Sequence, residues 1–348
     1  MSCAPPGHRP RSFAPLPPRE GFWPAIIAVV GLLSAGCRGV SSALDPASRE
    51  SARVADLYWL MFGICAAVFV IVLGLLGVAV ARRRQSQTSE GEQKRARAVG
   101  AGAAVTALIL LVLLAASEWT GRTIVAPAGH DAVEIEITGH QWWWEVRYPA
   151  SSPDRDVTTA NEIHVPVGRP VRFQLLSGDV IHSFWAPNLN GKKDLIPGRR
   201  TTHIFRADRP GVFFGQCAEF CGYQHAHMGF VLVAEEPARF SAWLARQRGL
   251  ALEPGDAASL HGREVFLSSP CVLCHTIRGA GAFGHKAPDL THLASRSMIA
   301  AAMLSNTTGN LAGWVLDAPR LKPGTRMPPN VLAANDLLDL VAYLRGLK

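Results

Sequence analysis

Two short strings in this chain gather soft donor atoms within a few residues. In GQCAEFCGYQHAHMGF, Cys217, Cys221, His225 and Met228 fall within twelve residues. Two thiolates, an imidazole and a thioether suit copper and do not suit hard cations. A C-x-x-x-C pair outside the cytoplasm also suits a disulfide, so the string leaves both readings open. Upstream, DVIHSFW offers His182 in a loop after a strand, where a sandwich fold brings it to the same end as the cysteine loop. The second string, CVLCH, gives Cys271, Cys274 and His275, the pattern of covalent c-type haem attachment. In that pattern two thiols form thioethers to the haem vinyl groups and the adjoining His ligates the iron.

The sixth iron ligand must come from downstream, and Met298, Met303, Met327, His285 and His292 are the candidates. Met327 lies in PGTRMPP, a proline-rich loop that cannot be helical and presents its side chain sideways. Met298 and Met303 lie in SMIAAAML, which predicts a helix with both methionines in its core.

The elements that position these residues follow from hydropathy and period. Leu57 to Ala81 and Ala98 to Ser117 carry no charge, and each is long enough to cross a hydrocarbon core about 30 Å thick as a helix. The loop 82–97 between them holds six basic and two acidic residues, which puts it in the cytoplasm and everything after Ser117 outside. Cys65 sits inside the first span as a small apolar residue. Residues 1–36 read as a signal peptide: three arginines, an apolar run and LLSAGC, in which Cys37 fits a lipidated first mature residue. Ordinary cleavage, or an uncleaved short anchor, fits the same residues.

From Asp131 the period becomes two. Val133, Ile135 and Ile137 alternate with Glu134 and Glu136, and Val171, Phe173 and Leu175 alternate with Arg172 and Gln174. Strands are further expected over 201–207, 212–216 and 229–233, which predicts an all-β sandwich over 118–236. A short amphipathic stretch and RGLALEPGD make 237–259 a linker, and a helical domain fills 260–348.

The strings VIHSFWAPNLNGKKDLIPGR and QCAEFCGYQHAHM resemble subunit II of the haem–copper cytochrome c oxidases, whose cupredoxin domain holds the dinuclear copper centre CuA. The resemblance implies that Cys217 and Cys221 bridge both coppers, that His182 and His225 terminate one each, that Met228 is a weak ligand, and that Glu219 ligates through its carbonyl. It further implies that the Glu219 side chain faces a magnesium ion at the subunit I interface, and that Trp142, first of three adjacent tryptophans, admits electrons to CuA. Three adjacent tryptophans also fit the packing of a core and a membrane-proximal surface. His227, and the strand histidines His140, His164 and His203, fall outside the pattern. PGTRMPP resembles the methionine loop of class I cytochromes c, which implies His275 and Met327 as axial ligands, with the carbonyl of Pro288 in APDL orienting His275. The helix around Gly262 to Phe266 and the C-terminal helix with Leu337, Leu340, Val341 and Leu344 match that fold's paired terminal helices.

Together these imply the subunit II of a caa3-type oxidase: a two-helix hairpin, an all-β cupredoxin-like CuA domain and an all-α class I cytochrome c domain. The implied partners are subunits I and III, an external cytochrome c or other reduced donor, and the bacterial inner membrane, with oxygen reduction confined to subunit I. The second span lacks the glutamate and the Trp-Thr and Pro motif of the family, so no proton-channel residue is carried over. Three other readings fit less well. A nitrous oxide reductase needs a large His-rich domain, and there is no room for one. A copper-delivery protein lacks the Met and the fused haem. A quinol-oxidising relative lacks the copper ligands.

The formal charge of +8 does not point to nucleic acid. Half of it lies in the loop 82–97. Residues 118–260 carry 14 basic and 16 acidic side chains, and 261–348 carry nine and five. The two folded domains thus have opposite signs, an attraction that salt would weaken.

Overall fold

The computed structural model describes residues 39–82, 89–124 and 131–348. The signal region, Cys37 and residues 83–88 of the basic loop lie outside the described residues. Everything below belongs to one compact unit, Val40–Lys348.

Helices α1 (Arg49–Ala81) and α2 (Ser89–Ile124) contain the two apolar runs and extend beyond them. Both are long and apolar enough to cross a membrane. Along them Phe69, Val70, Leu75, Leu111 and Leu114 face outward, the arrangement lipid favours. A capping box starts α1: the Ser48 hydroxyl accepts from the Ser51 N–H at 3.1 Å, and the Ser51 hydroxyl accepts from the Ser48 N–H at 3.3 Å. Those serines also seat the helix on the next domain, Ser51 donating to the Asn188 carbonyl at 2.7 Å and Ser48 to that of Leu189. Arg53 ties α1 to α2 through the Thr123 carbonyl at 2.7 Å.

The expected sandwich consists of two five-stranded sheets. One runs β3 (Val157–Ala160), β2 (Trp143–Tyr148), β1 (Val133–His140), β5 (Val171–Ser177), β8 (Thr201–Phe205). The other runs β4 (Glu162–Pro166), β10 (Gly229–Glu235), β9 (Gly211–Cys217), β6 (His182–Trp185), β7 (Lys193–Leu195). The alternation read from sequence sets which side chains face inward. Ile135, Ile137, Phe173 and Leu175 are fully buried, and the parallel β1–β5 register brings Ile135 opposite Phe173. Each such side chain contributes roughly 1.5–3 kcal/mol by leaving water. Phe184 and Phe230 stack across β6 and β10 with centroids 4.3 Å apart. A Cβ on Gly215 of β9 would lie 2.0 Å from the Phe230 ring, so that strand position admits only glycine.

The segment after β10 begins with α3 (Pro237–Gln247), whose Phe240 and Trp243 join the sandwich core against Tyr148. The C-terminal domain holds α4 (Ala257–Ser268), α5 (Thr308–Leu316), α6 (Ala318–Leu321) and α7 (Ala334–Gly346), with a short hairpin of β11 (Thr276–Ile277) and β12 (Ala282–Phe283) after α4. Asp256 caps α4 by accepting from the Ser259 N–H at 2.9 Å. Helices α4 and α7 cross at Gly262, where a Cβ would stand 1.9 Å from the Asp339 carbonyl oxygen. Phe266 packs on Tyr343 beside the crossing.

Two local expectations are corrected. SMIAAAML is not a helix: Met298–Ile299 and Leu304–Ser305 pair as the short strands β13 and β14. Between them Ala300, Ala301 and Ala302 turn the chain at φ of 55°, 61° and 59°. Met298 and Met303 are half-buried, not core. Tertiary hydrogen bonds to this turn override the helical preference of alanine. His182 opens strand β6 instead of lying in a loop, because its residue pairs with Leu195 of β7.

Candidate metal centre and haem site

Strands β6 and β9 and the loop after β9 bring the first donor set together at one end of the sandwich. The sulfurs of Cys217 and Cys221 are 3.7 Å apart. At one side His182 Nδ1 lies 3.9 Å from Cys217 Sγ, and the Glu219 carbonyl oxygen 3.2 Å from the same sulfur. At the other, His225 Nδ1 is 3.7 Å and Met228 Sδ 3.8 Å from Cys221 Sγ. The ligand atoms of His182, Cys217 and Cys221 all lie within 4.8 Å of one another. His182, both cysteines and Met228 are buried, while the Glu219 side chain is exposed.

The cysteines are free thiols, so the disulfide reading is not the one adopted. The Cys221 thiol holds Cys217 beside it far below the ordinary thiol range. Cys221 in turn is pushed up by that neighbour. Burial disfavours a charged His182, yet Cys217 and Asp179 beside it outweigh burial and raise its pKa. The two sulfurs would hold a soft cation, and the mixed sulfur and imidazole set fits copper. Cupredoxin-like sandwich and donor set agree on that metal.

Sequence reasoning missed Asp179, although it stands three residues before His182. Its carboxylate accepts from His182 Nε2 at 2.8 Å and from the Gln141 N–H at 2.7 Å, which turns Nδ1 toward the sulfurs. A carboxylate so near a ligand His in sequence is the signal that could have found it.

The three adjacent tryptophans have three separate roles. Trp142 donates from Nε1 to the Cys221 carbonyl at 3.0 Å, and a Cβ on Gly222 would lie 3.2 Å from its ring. Trp143 stacks on His140. Trp144 is fully buried, edge-on to Phe184 and Phe230 behind the cluster. The His227 ring bonds the Gln224 side chain at 2.7 Å and stays out of the donor set.

In the C-terminal domain Cys271 and Cys274 are free and half-buried on the turn after α4. His275 Nδ1 donates to the Pro288 carbonyl at 2.8 Å, so Nε2 carries no proton and is open to a metal. Burial, first of all, lowers the His275 pKa and favours that neutral ring. A Cβ on Gly284 would come within 2.7 Å of the Cys274 backbone, so this turn closes only over glycine. Met327 is half-buried in the loop between α6 and α7. Two free thiols, an oriented neutral imidazole and a thioether fit covalent haem.

A membrane hairpin carrying a cupredoxin-like copper domain and a c-type cytochrome domain defines a membrane-bound electron-transfer protein. Family profiles match on both parts: "Cytochrome C oxidase subunit II, periplasmic domain" over residues 133–235 and "Cytochrome c" over 259–348. Cytochrome c oxidase subunit 2 of Alkalihalophilus pseudofirmus is 38% identical over 245 residues, covering 68% of this chain and 69% of that one. The Bacillus subtilis protein of the same name is 29% identical over 229 residues, 63% of each chain. The crystal structure of the periplasmic domain of subunit II of cytochrome oxidase from Bradyrhizobium japonicum is 32% identical, covering 36% of this chain and 96% of that one at a TM-score of 0.32. The chain belongs to the cytochrome c oxidase subunit 2 family, with a cytochrome c domain fused behind the copper domain. It is a membrane protein with a periplasmic domain, and it serves electron transfer as part of an oxidase.

Proposed function

We propose that this chain is the electron-accepting subunit of a caa3-type oxidase of the bacterial inner membrane. It takes electrons from an external cytochrome c or other reduced donor and delivers them toward subunit I, alongside subunit III. Both folded domains face the periplasm and the loop 82–97 faces the cytoplasm. Cys37 would carry a lipid.

The observation that carries the reading is a pair of sulfurs 3.7 Å apart with an imidazole beside each, in one chain with CVLCH. Cys217 and Cys221 would bridge the dinuclear copper, with His182 and His225 terminal and Met228 and the Glu219 carbonyl as weak ligands. The Glu219 side chain, exposed beside the cluster, would meet magnesium at the subunit I interface. Cys271 and Cys274 would hold haem c through thioethers, with His275 and Met327 axial. When bound, haem c and CuA supply one-electron couples, the second shared over two metals so that little reorganises.

The chain's own residues do the positioning. The Asp179 carboxylate holds the Nε2 proton of His182, and the Pro288 carbonyl holds the Nδ1 proton of His275; each leaves the other nitrogen as a donor. Trp142, whose indole N–H is committed to the Cys221 carbonyl, ties an aromatic face to the loop bearing both thiols and is the point of electron input. Trp144, Phe184 and Phe230 keep water from behind the sulfurs.

Absorption and electron paramagnetic resonance of the purified oxidase test this. The expected result is c-type haem bands and a mixed-valence copper signal with hyperfine structure shared over two nuclei, lost in Cys217→Ser. A mononuclear blue-copper spectrum, or copper binding unaffected by Cys217→Ser, would overturn the assignment.

A further inference from the structure

Two short segments of the haem domain meet the sandwich near the copper cluster. From the first, Arg296 Nε donates to Thr159 Oγ1 at 3.2 Å, and the Ser297 N–H and hydroxyl donate to the Glu162 carboxylate at 2.8 and 2.5 Å. The Ala301 carbonyl accepts from the Gly229 N–H at 3.1 Å. The second segment opens the loop that carries Met327. Its Pro323 carbonyl accepts from Gln224 Nε2 at 2.8 Å, and a Cβ on Gly324 would stand 3.5 Å from the Trp142 ring. Arg326 reaches within 4.0 Å of Asp179.

Lys322 lies at the centre, 2% exposed. Its Nζ donates to the carbonyls of Trp142 and His227 at 2.8 Å each and of Ala300 at 3.1 Å. Three acceptors match the three protons of an ammonium group. Two belong to the copper domain, on the backbone that flanks its cluster. The third belongs to the alanine turn, whose φ of 55°, 61° and 59° alanine rarely adopts and which exposes that carbonyl to the lysine. Burial pushes the Lys322 amine down to about 7, and Cys221 opposes that shift. A lysine is seldom buried without a carboxylate, and removing it would leave three carbonyls unsatisfied between the domains.

We propose that Lys322 is a positioning residue that locks the methionine-ligand loop onto the Trp142 and Cys221 edge of the copper domain, so that electrons cross a fixed contact instead of a tethered encounter. One electron leaves the haem domain and one is gained by the copper domain; no bond is made or broken and no proton moves. The same contact covers a face of Trp142, so a soluble donor meets the haem domain first. The inference rests on the haem and copper assignments above.

The test uses the intact oxidase. Hydrogen exchange of 142–144, 227–229, 296–302 and 322–327 is compared between wild type and Lys322→Met, together with the rate of haem-to-copper electron transfer at rising solvent viscosity. The expected wild-type rate is insensitive to viscosity and salt. Lys322→Met, with unchanged haem and copper spectra, should exchange faster in all four segments and transfer at least about tenfold more slowly, because misplacement of reacting centres is costly. Its rate should also fall with viscosity. Should Lys322→Met fail to assemble, Ser297→Ala, which loosens the other segment, should show the same viscosity dependence. A wild-type rate that falls with viscosity overturns the proposal, as does a variant with wild-type exchange and rate, or one slowed without viscosity dependence. Absent haem or copper signals in wild type would instead count against the cofactor assignments, while the exchange comparison would still decide on the lock.

Discussion

The Asp179 carboxylate accepts a hydrogen bond from Nε2 of His182 at 2.8 Å, and through that bond the other ring nitrogen faces the Cys217 sulfur. Asp179 also takes the Gln141 N–H, next to Trp142. Burial alone would raise its pKa, but these N–H donors and the His182 ring lower it, so it stays ionised. One carboxylate thus fixes a copper donor's tautomer and the backbone leading into the aromatic edge.

Replacing Asp179 with Ala should weaken copper binding by about 10–100-fold, the usual consequence of removing a ligand's hydrogen-bond partner. Asp179→Asn, which can still accept the bond, should lose less. Competition with a copper chelator, read through the cluster absorption, ranks the three proteins; equal affinities would show that His182 needs no such support.

Gly262 sits where α4 and α7 touch, and a methyl group placed on its Cα would stand 1.9 Å from the Asp339 carbonyl oxygen. Gly262→Val must push the helices apart and should cost the haem domain at least about 3 kcal/mol. Gly255, with nothing within 4 Å, should accept Ala without loss. Thermal unfolding followed at the haem absorption distinguishes the two.

His203 on β8 has its pKa lowered to about 4, by burial first and then by Lys193. The fold therefore favours its neutral form. That contribution is complete above the unfolded value near 6.5 and is lost as pH falls toward 4, where the unfolded chain binds a proton that the folded chain does not. The loss is on the order of 3 kcal/mol. His203→Phe should keep more of its stability between pH 6.5 and 4 than wild type does, measured as the unfolding midpoint by tryptophan fluorescence. Parallel curves for the two proteins would rule the effect out.

Met327→Ala should remove the ferric iron–thioether charge-transfer band and lower the haem potential, since a methionine ligand raises it. Met298→Ala and Met303→Ala should leave the band in place, because those residues belong to the β13–β14 hairpin. Survival of the band in Met327→Ala would move the sixth ligand elsewhere.

The cluster-forming loop and the haem turn are legible in the order of amino acids alone. Cys217, Cys221, His225 and Met228, like Cys271, Cys274 and His275, are side chains of diagnostic chemistry a few residues apart, so a turn of the chain brings each set together. The hairpin and the alternation that buries Ile135 and Phe173 are legible in the same way, because hydropathy and period are local properties. The alanine turn and the seat of Lys322 arise only when the chain packs. A run of alanines favours a helix, and it turns left-handed here because its carbonyls meet donors from elsewhere, Gly229 and Lys322. The acceptors of Lys322 are backbone carbonyls 180, 95 and 22 residues away. Every residue offers the same carbonyl, so sequence carries no mark of which three will converge. The opposite charges of the two domains suggest an attraction between ionic side chains. Among the described residues the Arg326–Asp179 ion pair crosses the contact beside a buried ammonium and backbone groups, whose pairing only the packed fold can choose.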